Sequence, residues 1–110
     1  MGAFTKQDAP LLRDLRDRAY RVELGLELAK LEGHFRRWRQ GDIEPGDLAS
    51  LIHEFHDGAN RDLYKLYNSR DLGLAVARAI ALGLLEPSDV SAELLTKLQH
   101  LIDHATENLR

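Results

Sequence analysis

The 110-residue sequence is 44% hydrophobic and 30% charged and contains no cysteine. That balance fits one globular domain with a single modest core and excludes disordered, fibrous and disulfide-stapled classes. Any metal site must draw on His, Asp or Glu, because thiolate ligands are absent.

No apolar run reaches the roughly 18 residues of a membrane span, and the start Met1-Gly2-Ala3-Phe4-Thr5-Lys6 lacks the apolar core of a signal peptide. A cytoplasmic protein without membrane contact is therefore expected. The formal net charge of −3 is unevenly spread. Residues 8–40 carry eight Lys or Arg against six Asp or Glu, whereas residues 41–110 carry six against twelve. A basic first helix on an acidic body suits a solvated face or an acidic partner.

Residues 1–7 read as a loosely ordered tail, and 8–110 as a single helical domain. From Asp8 to Gln40 charged residues alternate with Leu, Ala and Val at helical spacing, which predicts one long helix with Asp8 as N-cap and Gly41 as its stop. A second helix is predicted from Pro45 to Tyr67, a third from Asp71 to Leu82 ending at Gly83, and a fourth after a Ser91 cap. No segment alternates like a strand. The expected fold is all-α: a long first helix and three shorter ones packed as a small bundle. The two longer connections share the pattern Gly-x-apolar-Glu-Pro-x-Asp-apolar, at Gly41–Leu48 and Gly83–Val90, 42 residues apart. Similar turn chemistry explains that repeat without a duplication.

At 100° per residue the first helix has two apolar stripes. Leu12, Leu15, Ala19, Val22, Leu26 and Ala29 form one, and Leu24, Leu28, Leu31, Phe35 and Trp38 form the other. A small bundle covers one face of an outer helix, so the second stripe predicts a homodimer through the first helix. The third helix, Leu72–Leu82, is apolar nearly all round and is expected to be central. On the fourth, Leu94, Leu98, Leu101, Ile102, Ala105 and Leu109 point inward and leave His100 and His104 in solvent.

Candidate chemistry concentrates on the second helix. Leu48, Ile52, Phe55, Ala59, Leu63 and Leu66 are expected to face the core, with His53, His56, Asn60, Tyr64 and Tyr67 along one flank. His56 lies nearest the apolar line, where desolvation would suit a general base. A small hydrolase would use His53, Glu54, His56, Asp57, Arg61 and Tyr64. The histidines are three apart rather than the four of His-Glu-x-x-His zinc peptidases. His53 with His56 or Asp57 can still supply two ligands to a divalent metal, and His34 is the candidate third. Without that metal no cofactor is implied. There is neither a Gly-rich phosphate loop nor a nucleophile elbow. The run His34-Phe35-Arg36-Arg37-Trp38-Arg39 mixes bases and aromatics as nucleic-acid surfaces do. The same arginines also complement the end of the helix dipole, and nucleic acid is not the favoured partner.

The stretch Gly41–Tyr67, with its His53-Glu54-Phe55-His56-x-Gly58 segment, and the later Gly83-Leu84-Leu85 resemble a family of short prokaryotic proteins without an assigned activity. The resemblance implies an all-helical prokaryotic protein and supplies no activity. The favoured function is a non-enzymatic, homo-oligomeric module that binds protein; the hydrolase and the nucleic-acid factor using Arg36, Arg37 and Arg39 are the alternatives.

Overall fold

A computed structural model describes residues 4–109. Helix α1 runs from Asp8 to Arg39, α2 from Pro45 to Phe55, α3 from Arg61 to Tyr67, α4 from Leu72 to Ala81 and α5 from Ala92 to Asn108. The backbone stays helical between α2 and α3 through a π turn at His56–Asn60, so the two form one rod and the described residues make four helices, as expected.

The repeated connection builds the same turn twice. Gly41 and Gly83 sit at φ +82° and +79°, the left-handed region that favours glycine. Behind each, the Gly41 and Gly83 N–H groups bond Trp38 and Ile80 carbonyls, and the next N–H groups reach Arg37 and Ala79. That is a Schellman cap in both places. Each restart is also alike, since Asp47 accepts from the Glu44 N–H at 3.0 Å and Asp89 from the Glu86 N–H at 3.0 Å. The first restart leads into α2; the second makes only the short turn Pro87–Asp89 before Ser91 caps α5.

The core lies at one end. Leu12, Leu15 and Ala19 of α1 pack with Leu63 and Tyr67 of α3, Val76 of α4 and Leu98 of α5. Helix α4 is central, as its composition predicts, with Gly73, Ala75, Val76, Ala77 and Ala79 buried. Helix α5 buries Leu94, Leu98 and Ile102 and leaves His100 and His104 exposed. Two polar clamps close this body. Asp8 is not a side-chain cap of α1; its carboxylate instead takes the Lys97 ammonium at 2.8 Å and the Thr5 N–H at 2.8 Å. Phe4 lies against Gly73, so the tail expected through residue 7 has defined contacts from Phe4 on, and residues 1–3 lie outside the described part. At the other end of the body Glu23 accepts both Arg78 nitrogens at 2.9 and 3.1 Å and the Tyr67 hydroxyl at 2.7 Å. Burial alone pushes the Glu23 carboxyl up, but Arg78 and Tyr67 outweigh it and hold the group below its ordinary value.

Beyond Glu23, α1 leaves the body and pairs with α2 as a two-helix hairpin. The molecule is a rod of 56 × 22 × 22 Å with a radius of gyration of 17.1 Å. A compact chain of this length has a radius near ~13 Å. Val22 and Leu26, expected in the core, are 44% and 54% exposed because α4 and α5 do not reach them.

The π turn corrects the face assigned to the second helix. It takes in one extra residue and sets the downstream face back by about 100°. On an unbroken helix Tyr67 falls about 100° from the Leu48 line; here it is 1% exposed and packs its ring 5.4 Å from that of Tyr20. Ile52, expected inside, is 38% exposed, and Leu51 is half-buried instead.

Two outcomes follow for stability. Deleting Gly58 converts the π turn to regular helix with both faces in register, so unfolding free energy should change by no more than about 1 kcal/mol, whereas an alanine inserted there should cost about 3 kcal/mol or more. Equal losses in urea titrations would refute that account of the turn. A carboxylate held below its ordinary pKa stabilises the fold above that value and stops doing so as pH falls through the folded one. Stability should therefore drop below about pH 4.5, and less steeply in Glu23→Gln. An identical acid profile for the variant would remove Glu23 from the explanation.

Candidate functional site

The π turn widens the helix beside Tyr20 of α1 and gathers part of the sequence-derived set. His56, Asp57, Asn60, Arg61 and Tyr64 line an open depression of ≈ 320 Å³ with Tyr20. Of the six hydrolase candidates, then, His56, Asp57, Arg61 and Tyr64 converge. Glu54 turns to a different, smaller depression of ≈ 160 Å³, which it shares with His34, Lys30 and Glu27. His53 points into solvent and pairs through Nε2 with Asp57 Oδ2 at 3.0 Å, both side chains more than half exposed.

This geometry bears on each proposed chemistry. His56 is exposed, so the burial on which its role as a base was argued is missing. Asp57 already faces His53, and His34 Nδ1 lies 3.3 Å from Arg37. Among the described residues no three His, Asp or Glu side chains come together to hold a metal ion. The proposed ligands His53, His56 and Asp57 share one stretch of helix, while His34 opens onto the other depression. What remains in the larger depression is a set of donors, Arg61, Asn60 and His56, between two phenol rings. It is shallow and offers no serine or threonine as nucleophile.

Arg36, Arg37 and Arg39 are all exposed at the far end of α1, beside Trp38 at 39% exposure. Arg36 also lies 3.7 Å from Glu32. A second open surface follows α1 itself: a channel of ≈ 420 Å³ lined by Leu28, Leu31, Glu32, Phe35, Arg36 and Arg39. Here the sequence reading needs correction. The second stripe is not wholly without a cover in its own chain: Leu24 packs against the core of the body, and α2 packs along α1 where Leu31 and Phe35 are half-buried. Leu28, at 46% exposure, stays open.

The half-buried Glu23–Arg78–Tyr67 cluster went unnoticed in the sequence. Its one available signal was a glutamate set between Val22 and Leu24 on a helix already apolar on two sides. No described helix is long and apolar enough to cross a membrane. Compared with protein families, with curated proteins and with solved structures, the chain has no match in any of the three.

An exposed i,i+4 pair contributes little to stability. Asp57→Asn should therefore shift the unfolding midpoint by less than about 0.5 kcal/mol equivalent, and stoichiometric Zn²⁺ should leave the melting curve in place. A zinc-dependent rise in Tm that His53→Ala/His56→Ala abolishes would instead establish the metal site.

Proposed function

We propose that this protein is a non-enzymatic, homo-oligomeric interaction module of the prokaryotic cytoplasm, acting through the hairpin of α1 and α2. The observation that carries this reading is the hairpin's thickness. Two helices cannot bury each other's apolar sides all round, and Leu28, Trp38 and Ile52 stay 38–46% exposed on a stalk that projects from the body. A second copy supplies the missing layer by the simplest symmetry, a two-fold axis across the first helix. The competing hydrolase reading draws on the convergence of His56, Asp57, Arg61 and Tyr64 beside Tyr20. It is the weaker one, because these groups stand in open water, where no excluded solvent favours catalysis.

Sedimentation across a concentration series should give twice the chain mass at about 100 µM, a range that suits a small interface. Leu28→Glu should return it to the single mass without loss of helicity, since the side chain is 46% exposed. A wild-type chain that sediments as a monomer throughout contradicts the proposal.

A further inference from the structure

The depression beside the π turn holds opposite charges that do not neutralise each other. An acidic residue followed four places later by a basic one pairs across a turn of regular helix. Asp57 and Arg61 have that spacing, but the π turn His56–Asn60 contains the first and ends against the second, and its extra residue takes them out of register. Asp57 pairs instead, through Oδ2, with Nε2 of His53 at 3.0 Å. Among the described residues Arg61 then pairs with no carboxylate, although both side chains line the same depression.

The rest of the lining is equally uncommitted. Asn60 is half-buried, and its side-chain amide makes no hydrogen bond to another described residue and stays in contact with solvent. Tyr20, half-buried against Tyr67, and Tyr64, 59% exposed, bring phenol rings to the depression from α1 and α3. Asp62 and Lys65, the next charges along α3, do not line it, so its full charges are one guanidinium and one carboxylate. A bare anion placed there is repelled by Asp57 and a bare cation by Arg61, so neither gains. A ligand carrying both signs satisfies both groups at once, and a flat ring on it meets aromatic faces. The volume of ≈ 320 Å³ lies at the small end of the range for ligand pockets, about 300–1,000 Å³, and suits a single amino acid.

We propose that this depression binds a zwitterionic small molecule of the aromatic α-amino acid class. Arg61 takes the carboxylate with the Asn60 amide beside it, Oδ1 of Asp57 takes the ammonium, and the ring lies against Tyr20 and Tyr64. The site goes beyond the interaction reading above and does not depend on it, since none of its residues belongs to the apolar face of the stalk. Both charged groups are exposed, so each charge pair adds little and the affinity is millimolar.

Titration of the full chain with L-phenylalanine should move the NMR signals of Asn60, Arg61 and Tyr64 saturably. Phenylpropionate, which lacks the ammonium, and phenethylamine, which lacks the carboxylate, should each bind about fivefold more weakly, the upper end for an exposed charge pair. Arg61→Gln should bring phenylalanine down to the level of phenethylamine, and Asp57→Asn to that of phenylpropionate. Both side chains are exposed, so neither change disturbs the core. A one-charge analogue that binds as tightly as phenylalanine would mean a plain anion or cation site and overturn the inference. Glycine matching phenylalanine would remove the rings from the site and overturn it as well. Phenylalanine binding unchanged in both variants, or no saturable shift at about 20 mM, would leave no such site.

Discussion

A 32-residue helix is about 48 Å long, while its neighbours of 10 and 17 residues span about 15 and 26 Å. That mismatch governs the molecule. Helices α4 and α5 seal α1 only as far as Ala19 and Glu23, and the core stops there. The rest of α1 has α2 for company, on one side. A rod with the core at one end and a two-helix stalk at the other is the outcome, and its 56 Å long axis is little more than α1 and its cap. The exposed leucines of the stalk therefore come from the geometry of helix lengths, not from a loosely packed body.

The junction between the two halves is held by polar contacts. Glu23 receives both arms of Arg78 and the Tyr67 hydroxyl, tying α1, α3 and α4 at the point where the stalk departs. Desolvation offsets much of the attraction in such a cluster, so its net contribution to stability is modest. Its geometric effect is larger. With Tyr67 packed at a tilt against Tyr20 and bonded to Glu23, the rod of α2 and α3 has one orientation on α1, and the π turn at His56–Asn60 lets both its ends present apolar residues to that single partner.

Helix number, order and ends were legible in the sequence because capping chemistry is local: Gly41, Gly83, the Glu-Pro-x-Asp restarts and Ser91 act within a few residues of themselves. The face of the second helix was not legible. No residue type marks a π turn, and the resulting offset brought Tyr67 inside; upstream of the turn it is Leu51, not Ile52, that is half-buried. The same offset explains the mixed fate of the site residues. Residues around the turn, His56 to Tyr64, did gather beside Tyr20, but on an outward side where nothing desolvates them. The two stripes of α1 were read correctly as stripes. Their coverage was misjudged, since it depends on where α4 and α5 end in space, on Leu24 packing against the body and on α2 folding back along Leu31 and Phe35. The long-range clamps, Asp8 with Lys97 and Glu23 with Arg78, involve partners 89 and 55 residues away and leave no local trace.

The stalk's open apolar face is proposed above to be covered by another copy of the chain. Amide hydrogen exchange followed over a hundredfold range of protein concentration tests it most directly, because helix association slows local opening only where the surfaces meet. Amides of the Leu24–Phe35 segment should become markedly more protected as concentration rises, while those of α4 and α5 keep the same rates. Exchange in the stalk that is independent of concentration would contradict the account.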